Sequence, residues 1–449
     1  MKNLGVFIIF LVIRVASVFL VQTFFVPDEY WQSLEVAHNL VFRYGYLTWE
    51  WTKGIRSYIP PLIIAGLYKI LQITGLDTSN ILVYGPRILQ AILSAYSDLC
   101  FYKWSGTKKW AIFCIGTSWF WFYTGSRTLI NSLECALSTI ALSYFPWPGK
   151  GIGKFVNLSR CRLIVLSLSI LLDSLAHGTF IVTVYEFLKF NLIEDIGSFY
   201  GTQPWHWYLS SGIPAILGIQ LLPFLTASFV ILKNRRVHQN ELAMLGTIIF
   251  ALTIYSLLPH KEFRFILSLL PLIFYISSRF LSAWSRKASK TAVWLVAIFI
   301  FACNILPMWY LSMIHQRGTL DVMDALKRIS LKNPNDTNLL FLMPCHSTPL
   351  YSHLHVNVTT RFLTCTPNFN KIDNYVDEAD LFYENPNRWL RQNYPPNGTL
   401  PTHIICFDIL QPNIRDILSR YRQTHEIFHT DFPTSSRTGK FVLIHRRLD

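Results

Sequence analysis

Ten apolar stretches recur along this 449-residue sequence, at about 5–25, 59–75, 81–102, 110–124, 128–146, 163–182, 209–232, 241–258, 265–282 and 291–310. Each is near the roughly 20 residues an α-helix needs to cross a bilayer. Lipid offers no partner for bare peptide groups, so such runs fold as helices gathered in a bundle. Only 15% of the residues are charged, against about 25% in a soluble domain. The 33 Phe, 21 Tyr and 14 Trp suit membrane interfaces. The chain reads as an α-helical polytopic membrane protein. Its net charge of +14 is scattered through short loops, which argues against a nucleic-acid partner and marks cytosolic loops instead.

The first stretch is too long for the apolar region of a signal peptide, and no small-x-small cleavage site follows it, so it reads as a signal anchor. Arg14 near its middle should face the bundle interior. The basic loops 150–162, 233–236 and 285–290 go to the cytosol. That places 185–208, 259–264 and everything after 310 on the opposite side, and counting forward from a cytosolic Lys2 places 25–58 there too. The two counts disagree by one between 103 and 146, so a short segment there is expected to be re-entrant or broken. Residues 1–310 form a transmembrane module with 25–58 as its first loop on that side. Residues 311–449 form a small soluble α/β domain, with strand-like runs at 338–342, 402–407 and 441–445 and helical patterns near 320–330 and 412–422.

Glycosylation sequons stand at Asn335, Asn357 and Asn397 in this tail, and one at Asn157 in a cytosolic loop should go unused. Cys345, Cys365 and Cys406 lie in the tail, where a Cys345–Cys365 disulfide is possible. Cys100, Cys114, Cys135, Cys161 and Cys303 lie in or beside apolar runs and read as small packing residues.

The stretch FVPDEYWQSLEVAHNLVFRYGYLTWEW starts at Phe25 and carries the acidic pair Asp28–Glu29. Tyr30, Leu34, Ala37 and Val41 recur at helical spacing, with Glu29, Gln32, Glu35 and Asn39 on the other side. This predicts an amphipathic helix lying along the membrane surface. Asp28 follows Pro27 at an N-cap position. A turn on Gly45 follows, with Trp49 and Trp51 as interface anchors. The acidic pair can serve as cap and helix-dipole charge, or as a general base or cation-binding carboxylate at a cavity mouth.

His260, Lys261, Glu262 and Arg264 place four ionisable groups within five residues at a membrane boundary. A plain anchor needs fewer, and the mixture suits an anionic ligand with Glu262 orienting a base. Arg127 and Asn131, four apart, share a helix face, with Glu134 two turns from Arg127; an internal salt bridge is the plainer reading. Asp173 and His177 lie in an apolar run and should face inward. His315, Gln316 and Arg317 end the last span, where Arg317 can clamp a phosphate or snorkel to the interface. The 185–208 loop, rich in Phe and Trp, reads as an interfacial cover for a lipid-linked substrate. No P-loop, catalytic-serine motif or zinc spacing occurs, and His346, His353 and His355 are not read as a metal site.

The opening stretch, SRTLINSLE (126–134), PHKEFRFIL (259–267) and HQRGTLDVM (315–323) resemble the polytopic mannosyltransferases that use dolichyl-phosphate mannose in the endoplasmic reticulum. The resemblance spans essentially the whole chain. MPCHSTPLYSHLH (343–355) and RFLTCTPN (361–368) are similar to the branch of that family that works on the glycosylphosphatidylinositol (GPI) precursor. Ser174 and Glu186 stand where Arg and Asn are usual. The resemblance implies a GT-C type bundle, multi-pass in the endoplasmic reticulum membrane, with a luminal active site. It implies transfer of an α1,2-linked mannose from dolichyl-phosphate mannose to the second mannose of the GPI precursor, inverting the anomeric centre, with no metal or other cofactor. Asp28 would be the base, with Glu29 as fallback. Arg264, His260 and Lys261 would meet the dolichyl phosphate, with Arg317 as a further candidate, and Glu262, His315 and Gln316 would belong to the same substrate-binding set. Arg127 and Asn131 would shape the cavity or bind sugar hydroxyls. A mannosyltransferase of the N-glycan precursor is the alternative within the family. A lipid transporter is the alternative outside it, and the internal repeats common in transporters are not evident.

Overall fold

A computed structural model of the chain describes residues 2–147, 153–395 and 398–448, of which 2 and 153–164 by backbone alone. Lys150, Asn397 and the side chains of Asn157 and Cys161 therefore lie outside the described residues. Each apolar stretch is helical over most of its length. Among the described residues, five helical runs are long and apolar enough to cross a membrane: Asn3–Leu20, Tyr208–Lys233, Gln239–Leu257, Phe263–Ser285 and Lys290–Lys332. Ile59–Thr74 and Val165–His177 are shorter apolar helices.

The stretch at 110–124 is broken into Lys109–Gly116 and Trp119–Thr124. Thr117 turns its hydroxyl back onto the Phe113 carbonyl (2.8 Å), and Ser118 leaves helical geometry to cap the second piece, accepting from Trp121 N at 3.3 Å. This is where the charge count required an interruption.

The chain forms two compact units. The first comprises Met1–Val21, Gly54–Pro60 and Pro86–Trp309. Its helix Lys290–Met313 exposes Trp294, Leu295, Ile298, Phe299 and Leu306, as a lipid-facing helix does. Cys303 lies on this exposed side rather than in the packing.

Charged groups turn inward in this unit. Arg14 is fully buried and donates from Nε to Asp98 Oδ2 (2.7 Å) and from Nη1 to the Trp121 carbonyl (3.0 Å). Trp121 Nε1 donates to the other Asp98 oxygen at 2.9 Å. Asp173 accepts from Tyr58 N (2.9 Å), Ser57 Oγ (3.0 Å) and Thr183 Oγ1 (3.0 Å), while His177 Nε2 meets the Arg56 carbonyl at 3.0 Å. Both inward expectations hold, because an unpaired charge in this setting is more costly than any packing it could provide.

The second unit comprises Gln22–Lys53, Pro61–Gly85 and Tyr310–Asp449. Its centre is a five-stranded sheet, β1 Asn338–Leu342, β2 Thr359–Phe362, β3 His403–Phe407, β4 Tyr421–Phe428 and β5 Phe441–Arg447, in the order β2-β1-β3-β5-β4. β1 runs parallel to β2 and β3, and β5 antiparallel to β3 and β4. Leu339 and Phe341 enter one apolar core with Trp31, Leu34 and Leu326; Leu340 and Leu342 enter another with Phe382, Trp389 and Leu410. That alternation is the period-2 signature of a strand buried on both faces. Helix Gly318–Lys332 starts where a Cβ on Gly318 would meet the Phe428 carbonyl at 2.7 Å, so only glycine fits.

Two expectations change in this unit. The helical pattern near 412–422 stops at Leu418, and Tyr421 opens β4. The surface helix after Asp28 is not amphipathic toward water. Glu29, Gln32 and Glu35 are buried together with Tyr30, Leu34 and Ala37, with tail residues 350–352 bonded to Glu35 and Glu50 bonded to Gln32. Trp51 is likewise packed inside rather than at an interface, donating to the Trp31 carbonyl at 3.4 Å.

Candidate active site

The acidic pair sits at the head of this helix. Pro27 lacks an N–H and opens the turn, its carbonyl accepting from Tyr30 N and Trp31 N, both at 3.0 Å. Asp28 therefore lies within the first turn rather than capping it. Asp28 is half-buried and Glu29 is buried. Tyr30–Leu34 is a π-helical turn, followed by α-helix Glu35–Phe42. Such turns gather at functional sites.

A tail segment packs around this helix. Glu35, fully buried, accepts from Leu350 N (2.8 Å), Ser352 N (3.1 Å) and Ser352 Oγ (2.6 Å). Burial pushes its carboxyl up, and these donors oppose that. Trp31 Nε1 donates to the Thr348 carbonyl at 3.0 Å, and its ring meets His346 edge-on at 4.6 Å. Cys345 and Cys365 form a disulfide. Burial pulls His346 down to about 4, against the opposite pull of the nearby Asp28 charge. Cys345, His346 and Cys365 gather within 4.8 Å, but the two sulfurs are bonded to each other. His355 does not join His346. Its Nδ1 lies 3.1 Å from His38 Nε2, and burial holds both rings below their ordinary value, His38 at about 3.

At the end of the tail's first turn, Arg317 Nε donates to Asp321 at 2.6 Å, and Arg317 N to the His429 carbonyl at 3.0 Å. His315 Nδ1 meets Thr430 Oγ1 at 2.9 Å, and burial lowers its pKa. Gln316 adopts φ +62° and takes Phe24 N on its carbonyl at 3.1 Å. Asn335 and Asn357 are exposed.

The remaining candidates lie in the first unit. Arg264 grips Glu262 with both arms of its guanidinium, Nε to Oε2 at 2.7 Å and Nη2 to Oε1 at 2.6 Å, and His260 Nε2 reaches Oε1 at 3.0 Å. Burial alone would raise the Glu262 carboxyl, but Arg264 and His260 outweigh it and hold it at about 2. The hydrogen bond to Glu262 in turn raises His260. Lys261 is buried and donates to the carbonyls of Gln203 (3.0 Å) and Leu258. His260 Nδ1 meets the Gly201 carbonyl at 2.9 Å, and Gln203 N donates to Pro259 O at 2.9 Å. The aromatic 185–208 loop is thus stitched to 258–262, a link that nothing in the spacing of either loop announces. Arg127 is buried, donates from Nε to the Tyr123 carbonyl (3.0 Å) and lies over the Tyr123 ring at 4.2 Å; Asn131 bonds Glu134.

The structure brings Asp28, Glu29 and 315–317 into one unit and Arg127, Asn131 and 260–264 into the other. Helical spacing places Glu35 only on a polar face and gives Asp98 no place in the bundle; the structure makes each a buried carboxylate with donors of its own.

The fold is similar to that of ArnT from Cupriavidus metallidurans in the apo state. The TM-score is 0.57, over 100% of this chain and 99% of that one, at 10% identity. The same protein bound to undecaprenyl phosphate gives 0.53. That likeness, with the helices described above, defines a polytopic membrane protein of the GT-C type. Residues 5–157 and 150–355 match the Alg9-like mannosyltransferase family. A Drosophila melanogaster protein named GPI mannosyltransferase 3 is 48% identical over 96% of this chain and 84% of its own length. Proteins named GPI alpha-1,2-mannosyltransferase 3 from Bos taurus and Homo sapiens are 39% and 38% identical over 99% of this chain and 90% and 87% of theirs. The chain belongs to the Alg9-like mannosyltransferase family.

Proposed function

We propose that this mannosyltransferase moves an α1,2-linked mannose from dolichyl-phosphate mannose to the second mannose of the GPI precursor, at the luminal face of the endoplasmic reticulum membrane. The observation that carries the reading is similarity along 96–99% of the chain, tail included, to relatives named for that activity.

The acceptor hydroxyl oxygen attacks C1 of the donor mannose from the face opposite the phosphate. The C1–O bond to phosphate breaks, dolichyl phosphate leaves with the electron pair, and the hydroxyl proton passes to Asp28. One displacement inverts the anomeric centre and needs no covalent intermediate. Asp28 suits the role better than its neighbour, being half-buried where Glu29 is 1% exposed. Arg264, fixed by Glu262 together with His260, supplies positive charge for the departing phosphate. Side chains of this kind can carry that charge without a metal ion, so transfer should persist in chelator. Lys261 acts beside them by fixing the loop. Arg127 and Asn131 shape the cavity or take sugar hydroxyls, Arg317 is a further candidate for the dolichyl phosphate, and His315 and Gln316 belong with it to the substrate-binding set. Asn335, Asn357 and Asn397 carry N-glycans in the lumen, which glycosidase digestion followed by a mobility shift tests.

The direct test is purified protein given dolichyl-phosphate mannose and a GPI precursor bearing two mannoses. A third, α1,2-linked mannose on the product supports the proposal. Transfer only to an N-glycan precursor moves the protein to another branch of the family.

A further inference from the structure

We infer that Glu35 is the positioning residue for Asp28: by binding loop 348–352 it fixes the π-helical turn that lies between the two carboxylates. The inference rests on Asp28 being the base. Tyr30–Leu34 closes its hydrogen bond i→i+5, Glu35 N to the Tyr30 carbonyl, where an α-helix closes i→i+4, a rare geometry found frequently at functional sites. Relaxing it to α-helix would swing Asp28 about the axis by about 100° relative to Glu35. A general base works only within hydrogen-bond reach of its proton, and a misplacement of about 1 Å is worth roughly 100-fold in rate.

The tail loop imposes the geometry from both ends of the turn. Trp31, within it, donates to the Thr348 carbonyl at 3.0 Å. Glu35, the residue after it, takes Leu350 N, Ser352 N and Ser352 Oγ at 2.6–3.1 Å. The loop is itself braced by the Cys345–Cys365 disulfide and by Tyr351 Oη donating to the Val358 carbonyl at 2.7 Å. A carboxylate is the side chain that can accept several N–H and O–H donors at once while holding no proton of its own. An amide at the same place turns a donor toward donors. Burial makes Glu35 costly on packing grounds, and its three donors come from a loop more than 300 residues away in sequence.

The test uses the full-length purified enzyme and compares Glu35→Gln, Ser352→Ala, Asp28→Asn and the Glu35→Gln/Asp28→Asn double variant. Glu35→Gln should lower the kcat of the folded fraction by about 10- to 100-fold with both KM values within about twofold, a loss larger than any fall in the amount of folded protein. Ser352→Ala, which removes one donor, should lower kcat by about threefold. The double variant should be no slower than Asp28→Asn alone, because there is no base left to place. A wild-type kcat in Glu35→Gln, a loss that only tracks the amount of folded protein, or an additive double variant overturns the inference. If Glu35→Gln does not accumulate, Ser352→Ala decides, and an unchanged kcat overturns it. Full activity in Asp28→Asn removes the base and this inference with it. An inactive Asp28→Asn beside a wild-type Glu35→Gln removes the inference alone.

Discussion

Arg264 holds both carboxylate oxygens of Glu262, at 2.7 and 2.6 Å, in the planar two-armed geometry that lysine cannot reproduce. Neither residue is placed by packing alone; each fixes the other at the start of a helical run. If this guanidinium meets the donor phosphate, Arg264→Ala should raise KM for dolichyl-phosphate mannose by about tenfold or more, with acceptor KM nearly constant. Steady-state kinetics with each substrate varied in turn checks this, and an unchanged donor KM counts against the role.

The same contact sets a pH dependence. Glu262, held at about 2, stays ionised across the working range. His260 is raised above its ordinary 6.5, so its contribution to the cluster is complete below that value and is lost as pH rises through the higher folded pKa. Glu262 works the other way, contributing above its ordinary 4.5 and losing that contribution as pH falls toward 2. Donor affinity should therefore weaken as pH climbs past the elevated His260 value. In Glu262→Gln the weakening should begin at lower pH. Donor KM measured from about pH 5 to 8.5 reads the shift, and coincident profiles would remove His260 from the account.

Asp28 and Glu29 are adjacent yet differently exposed. Asp28→Asn should lower kcat by about 10²- to 10⁴-fold, to a small residual rate, while the protein still accumulates in the membrane. Glu29→Gln should act mainly through folding, lowering yield more than the kcat of what folds. Equal and complete loss of kcat in both would leave the base unassigned between them.

Arg14 and Asp98 form a buried pair closed by Trp121. Removing one partner of such a pair strands the other charge, at a cost of about 3–5 kcal/mol. Asp98→Ala should therefore reduce accumulation and thermal stability sharply. A normal yield and unfolding temperature would mean that Arg14 finds water or lipid phosphate instead.

Much of the bundle was legible because hydropathy over a span is a strong signal. The break at Thr117–Ser118 was legible only as a charge imbalance, since two hydroxyls make it locally. Arg14 announced itself as a lone charge in an apolar run; Asp98 did not, because its helix is polar enough elsewhere to hide it. β4 was missed since its sequence YRQTHEIF is that of an edge strand with most side chains exposed. Glu35 was assigned to a water-facing side by helical spacing, which is blind to a tail arriving from 317 positions away. The π turn beneath Asp28 has no spacing signature, because the loop that holds it is remote in sequence.

Lipid analysis of cells depleted of this protein reads whether it adds the third mannose to the GPI precursor. A GPI precursor bearing two mannoses should accumulate, relieved by the wild-type chain and not by Asp28→Asn. Normal GPI precursors with truncated N-glycan precursors would place the protein in the N-glycan branch of the family instead.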